Sequence, residues 1–343
     1  MNIVKASNDF LQSLIPTFQP KIHTLLEFGF KSISLQRIVS LNSNARSSVS
    51  NPHTAESKIF RLTKTIRFLK YFPNLISQLG LLSNGDSVAI DFSDFGGFQV
   101  LMFAKRTNTG RALPVYFEIL TYPIEKDSQN IFVITAIKNF CTYITPLDVS
   151  FVFDRGFACP AIIEYLFKNK LVFYIRIKSC KTLAYKTYTQ KARDFNSGVH
   201  LVKAYENKQL TLTVTPAPPG KPGKLQEPWY IISNDVWNTA KTITEIYYHR
   251  FEIEEFFKDA KRLFGLEYIR FKKYTSLSII LWFVMLNFWL QRYLLKTAQQ
   301  ETKQDLIKKC KTSWNQSFTH YWLEQLKFFL MEPVLSQISL QTG

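Results

Sequence analysis

Two short apolar runs that each end in a carboxylate constrain this chain more than any other feature. They are Ser87-Val88-Ala89-Ile90-Asp91 and Val149-Ser150-Phe151-Val152-Phe153-Asp154. Runs of this length, rich in β-branched and aromatic residues, read as buried strands. Further strand patterns lie at Gln99–Ala104, Pro114–Leu120 and Leu171–Ile177, and helical patterns at Asn130–Cys141 and Ala161–Lys168. The order is strand, strand, strand, helix, strand, helix, strand, which is that of an α/β mixed sheet flanked by helices. It predicts Asp91 on the first strand and Asp154 at the end of the fourth, side by side, where open sheets bind their ligands. Asp94 competes with Asp91. Asp91 directly ends the apolar run, so Asp94 is read as a turn residue beside Gly96-Gly97.

A third carboxylate comes from a helical stretch far downstream. At about 100° per residue, Tyr247 lies roughly 20° to one side of Glu254, with Arg250 and Lys261 roughly 40° and 20° to the other. One helix face then carries a phenol, two cations and a carboxylate. Such a set suits a metal-bound phosphate: Glu254 holds a divalent cation, and Arg250 and Lys261 grip an anionic backbone. His249 points away from that face by the same count. Displacement at phosphorus builds negative charge on the entering and leaving oxygens, and two ions roughly 3.5–4 Å apart stabilise both. Three carboxylates hold two such ions and leave room for substrate oxygens, because magnesium takes few protein ligands.

The string Tyr247 to Glu267, YYHRFEIEEFFKDAKRLFGLE, resembles the Y-(2)-R-(3)-E-(6)-K signature of bacterial DDE transposases of the insertion-sequence-four group, with all four positions at the right intervals. Asp91, followed by Phe92-Ser93-Asp94, and Asp154, in Asp154-Arg155-Gly156-Phe157, resemble the family's two aspartate motifs. The resemblance spans residues 85 to 290 or so. It implies an RNase H-like core with Asp91, Asp154 and Glu254 as catalytic metal ligands and Mg2+ or Mn2+, two ions, as cofactor. DNA contacts are implied at Tyr247, Arg250, Lys261, Trp229 and Arg176. Trp229 falls where hairpin-forming relatives place a base-stacking tryptophan. The implied partners are the terminal inverted repeats and target DNA, with the enzyme acting as a dimer in a synaptic complex.

Composition agrees with a polyanionic partner. Lys and Arg outnumber Asp and Glu 43 to 26, a formal net charge of +17, which favours nucleic acid without identifying it. Cys141, Cys159, Cys180 and Cys310 have no CxxC spacing, as expected in a reducing cytosol and not of a zinc or disulfide framework; the transposase resemblance implies a cytoplasmic, nucleoid-associated protein. The N-terminus lacks the apolar core of a signal peptide. Ser278–Leu295 is apolar but carries Asn287, Gln291 and Arg292 toward one end, so a buried helix is expected there and no membrane span.

Four regions are expected. Residues 1–80 form a helical basic DNA-binding region, with ten Lys or Arg against three acids in the first seventy residues. There Ile59, Leu62, Ile66 and Leu69 make an apolar stripe that ends before Pro73. Residues 85–177 plus 241–297 form the catalytic core. Residues 178–240 form a β-strand insertion before the last catalytic helix, with strands at Leu201–Ala204 and Leu210–Val214 and a Pro/Gly loop from Pro216 to Pro228. Residues 298–343 form a C-terminal helical region.

Three functions remain open at this level. The first is a cut-and-paste transposase, with metal-dependent cleavage at transposon ends and strand transfer. The others are a stand-alone RNase H-like nuclease and a transposase-derived DNA-binding protein whose catalysis is lost.

Overall fold

The computed structural model describes residues 72–107, 112–121, 128–216, 227–267 and 270–298, together with residues 9, 10, 53, 54 and 57. The helical stripe at Ile59–Leu69, the tip of the loop between Pro216 and Pro228 and the region after residue 298 lie outside the described residues. The chain divides into two compact units. One comprises Leu82–Ser93 and Leu101–Glu255, and the other the described residues of Met1–Leu81, Asp94–Val100 and Phe256–Gly343.

In chain order the elements are α1 (Leu75–Gln78), β1 (Ser87–Phe95), β2 (Phe98–Lys105), β3 (Leu113–Leu120), α2 (Ser128–Ile144), β4 (Ser150–Phe153), α3 (Pro160–Lys168) and β5 (Val172–Arg176). They continue with β6 (Thr182–Tyr185), β7 (Tyr188–Lys191), β8 (Gly198–Ala204), β9 (Lys208–Thr215), β10 (Trp229–Ser233), α4 (Ala240–Tyr248), α5 (Glu252–Leu263) and α6 (Tyr274–Ala298). The strands form one ten-stranded sheet in the order β3-β2-β1-β4-β5-β10-β9-β8-β6-β7.

The first five strands have the order and directions of an RNase H-like fold. β4 runs parallel to β1 and to β5, and each connection carries a helix, as parallel pairing requires. β1 and β2 are joined by Gly96 and Gly97 alone. Both have positive φ, at 59° and 93°, the conformation that a two-residue hairpin turn demands. That tight turn lets β1 run four residues past Asp91 instead of stopping there.

Strands β6–β10 extend the same sheet rather than building another. β10 pairs antiparallel with β5 on one side and β9 on the other, and all five of its residues are buried. This strand fixes where the chain re-enters the site. Beyond it, Asp235 organises the turn into α4: its carboxylate accepts the Tyr174 hydroxyl at 2.5 Å and the Trp237 amide at 2.9 Å. The Thr239 hydroxyl then caps α4 by accepting the Thr242 amide. α4 buries Ile243 and Tyr247 against Val152, Tyr174, Trp229 and Ile231.

In the other unit, α6 is buried on every side from Ile279 to Leu290, so its apolar residues show no helical stripe. Asn287, 1% exposed, donates to the Phe283 carbonyl within the helix at 2.8 Å. Phe72 stacks on Trp282, and Phe256 packs edge-on against Phe288. Among the described residues, no helix is long and apolar enough to cross a membrane.

Asp235 is 7% exposed and ties β5 to the start of α4. Asp235→Ala leaves the Tyr174 hydroxyl and two turn amides without their acceptor, and should cost about 3 kcal/mol. Urea unfolding measures the change, and a loss below about 0.5 kcal/mol, the range of ordinary surface substitutions, would contradict this role.

Candidate active site

Asp91, Asp154 and Glu254 arrive by three routes. The register Ile90↔Phe153 sets Asp91 and Asp154 at the next step of two parallel neighbours. Asp91 lies within β1, not at its end, and its Oδ1 accepts the Phe92 amide at 2.8 Å. Asp154 follows β4 and opens a 3-10 turn, Arg155–Phe157, without using its side chain as a cap. Its carboxylate is left for other partners. Asp94 lies within β1 rather than in the turn itself, and its Oδ1 is 3.4 Å from the Gly97 amide of the hairpin.

The helix bearing Glu254 is not continuous, contrary to the single face that the spacing predicts. α4 ends at Tyr248, a 3-10 turn occupies His249–Phe251, and α5 begins at Glu252. Helical periodicity cannot foresee this break, because a distant contact accompanies it. Glu252 is 8% exposed. Its carboxylate accepts the Thr107 amide at 3.2 Å and meets His249 Nδ1 at 2.6 Å, while its carbonyl accepts the Ala112 amide. The turn is thus fastened to the loop after β2. Sequence reasoning missed Glu252, whose only signal is an acid placed off the charged helix face.

Arg250, carried on that turn, reaches all three carboxylates. Its Nη1 lies 3.1 Å from Asp91 Oδ2, and its Nη2 lies 3.3 Å from Glu254 Oε1 and 4.0 Å from Asp154 Oδ1. The Asp154 and Glu254 oxygens share one nitrogen, so they cannot be further apart than those two distances laid end to end. That separation is within reach of a pair of ions roughly 3.5–4 Å apart. Arg250 is 4% exposed, and its guanidinium carbon lies 4.5 Å from the Phe251 ring centre. The side chain expected to grip DNA is committed to the carboxylates in this state.

Burial differs across the cluster. The side chains of Asp154 and Glu254 are 46% and 45% exposed, and that of Asp91 is 23% exposed. Burial raises the Asp91 carboxyl to about 6; Arg250 opposes the rise, and the charges of Asp154 and Glu254 add to it. Burial also pushes the Tyr247 hydroxyl up to about 12. It therefore stays protonated near neutrality, 3.5 Å from Asp154 Oδ1. Burial pulls Arg250 downward, but Tyr247 and the three carboxylates outweigh it and the guanidinium is held above its ordinary value.

The remaining expected residues are placed differently. Arg176, at the end of β5, is close enough to act electrostatically on Tyr247 and has a 3.8 Å ion pair with Glu227. Trp229 is 4% exposed, with its ring edge-on to Tyr247 at 5.0 Å and tilted against Phe251 at 5.8 Å. A ring so covered offers no open face to a base, and here it packs in the core beside Tyr247 and Phe251. Lys261 belongs to the other compact unit, where it lies over the Phe95 ring.

The donor set fits a hard divalent cation in kind: three carboxylates, two of them half-exposed. Arg250 demonstrates that positive charge is accepted among them. Yet among the described residues no three His, Cys, Asp or Glu side chains are close enough to hold a metal as they stand.

Residues 134–290 match the family described as Transposase DDE domain. The matched stretch includes Asp154 and Tyr247 through Lys261 and begins beyond Asp91. It supports a DDE transposase. No curated protein matches. A solved structure described as the cryo-EM structure of piggyBac transposase synaptic complex with hairpin DNA is similar, with a TM-score of 0.49 and 12% identity, covering 91% of this chain and 72% of that one.

The raised Asp91 carboxyl gives the metal-free protein a defined pH response. Between about pH 4 and 6 the native chain keeps a proton that the unfolded chain releases, so stability falls as pH rises through that window. The size is of order 3 kcal/mol. Melting temperatures in chelator across this range should show the fall, and Asp91→Asn should flatten it. An identical profile in both proteins would contradict the placing of Asp91.

Proposed function

We propose that the chain is a metal-dependent DDE transposase that cleaves DNA at the ends of its element and joins them to target DNA. The observation that carries this is the convergence of Asp91, Asp154 and Glu254 on one buried guanidinium. The match of residues 134–290 to the Transposase DDE domain supports the same reading.

Hydrolysis exchanges a P–O bond of the strand for one to water, and strand transfer exchanges it for one to a 3′-hydroxyl. Asp91, Asp154 and Glu254 would hold the divalent ions, Mg2+ or Mn2+. When bound, these would activate the attacking oxygen and stabilise the leaving one. The protein's own residues set the rest. Asp154 and Glu254, at the exposed side of the cluster, face the incoming strand. Asp91, sunk deeper, fixes the floor. Tyr247, neutral at working pH, donates its hydroxyl proton toward Asp154 and restrains its rotation. An approaching phosphodiester meets three carboxylates, so it needs compensating positive charge before it can settle. Arg176 beside Tyr247, and Lys261 on the continuation of the Glu254 helix, are the proposed phosphate contacts, and a dimer is the proposed working form.

Asp154→Asn and Glu254→Gln should each lower cleavage of a labelled duplex bearing the terminal inverted repeats by at least a thousandfold, with duplex binding retained. Cleavage at the parental rate in magnesium by either variant would refute the assignment. A parental protein that binds the duplex without cutting it would favour the DNA-binding reading. Cutting without preference for the repeats would favour the stand-alone nuclease. Lys261→Ala should reduce the slope of log affinity against log salt by about 0.9, the value of one phosphate contact. An unchanged slope would remove Lys261 from the interface.

A further inference from the structure

We propose that Arg250 is the built-in counter-ion of the carboxylate cluster, and that its guanidinium and an incoming divalent cation compete for the same oxygens. This deepens the function proposed above and rests on Asp91, Asp154 and Glu254 being cation ligands.

Four observations lead there. Arg250 bonds Asp91 at 3.1 Å and Glu254 at 3.3 Å and lies 4.0 Å from Asp154. It therefore spans the three groups that would ligate a metal. It is 4% exposed, so it is no surface arginine that happens to reach inward. The aromatic rings around it, Phe251 at 4.5 Å and Tyr247 at 5.9 Å, stabilise a cation in this place. Its Nε is buried and finds no hydrogen-bond partner among the described residues. The guanidinium is thus held by charge and ring faces, without the full set of bonds that would lock it.

Competition follows from geometry. Magnesium demands oxygens at about 2.0–2.1 Å in near-octahedral array, whereas a guanidinium holds them near 3 Å around a flat fork. A metal seated where the guanidinium now lies would take the same lone pairs of Asp91 Oδ2 and Glu254 Oε1, so the two cations cannot occupy that place together. Without any cation, three clustered carboxylates would repel one another and splay. With Arg250 in place they stay gathered, at the cost of a weaker first metal site. When metal takes its oxygens, the freed guanidinium remains beside the exposed side of the cluster, where a phosphate arrives.

The test is calorimetric titration of the DNA-free protein with Mn2+ alone, paired with thermal unfolding in chelator and in Mn2+. Arg250→Gln should bind Mn2+ about tenfold tighter than the parent, since an opposing charge a few ångströms away is removed. It should also melt lower in chelator and gain more from Mn2+ than the parent does. Arg250→Lys, which keeps the charge but loses the fork, should fall between the two, and it carries the comparison if Arg250→Gln does not fold without metal. Equal or weaker Mn2+ binding in these variants would overturn the proposal. Asp154→Asn separates the two levels. If it weakens Mn2+ binding while Arg250→Gln fails to tighten it, only the counter-ion role falls. If Mn2+ affinity ignores Asp154 altogether, the cation site falls and the counter-ion with it.

Discussion

A single buried guanidinium among three carboxylates is the interaction on which the site depends. Burying an arginine without partners would be prohibitive, and removing one member of a buried pair typically costs 3–5 kcal/mol. Here Arg250 faces Asp91, Asp154 and Glu254 together. Each acid would be ill placed without the cation, and the cation could not be buried without the acids. The cluster still carries an excess of negative charge. That excess is what the proposed divalent cations would offset.

The sheet and the core beneath it make this arrangement possible. Parallel β1, β4 and β5 deliver Asp91 and Asp154 to one end of the sheet. β10 then returns antiparallel along β5, and α4 packs Tyr247 and Ile243 over Trp229 and Ile231. Arg250 lies over the rings of Tyr247 and Phe251, and Trp229 packs against both of these rings. Glu252 fastens the turn that carries Arg250 to the loop after β2. Strand register, core packing and one buried hydrogen-bonded acid together set the position of a charged group that belongs to none of them.

Much of this was legible in the chain. The strand order and the placing of Asp154 just after β4 followed from apolar runs, because a strand's pattern is local and its period is two, whereas β1 runs on past Asp91 to Phe95. Asp94, expected in the turn, lies instead in β1, which the glycine pair allows to run to Phe95. Other features depend on partners far away in sequence. The 3-10 turn at His249–Phe251 coincides with Thr107 and Ala112 meeting Glu252, which no helical count can register. Arg250 looked like a surface cation on a charged face, and only the fold brings Asp91 to it. Trp229 looked like a base platform because of its place in the insertion, yet β5 and β9 flank its strand and α4 covers it. Lys261 shares the spacing of Glu254 but falls in the other compact unit. One-dimensional spacing picks out residue types and cannot say which of them the core will enclose.

The most direct measurement is anomalous diffraction from crystals grown with Mn2+ and a terminal-repeat duplex. The account predicts manganese bonded to oxygens of Asp91, Asp154 and Glu254 at about 2 Å, as a hard divalent cation requires, with the Arg250 guanidinium moved off at least one of them. Manganese bound elsewhere, with Arg250 still bridging Asp91 and Glu254 as it does now, would contradict it.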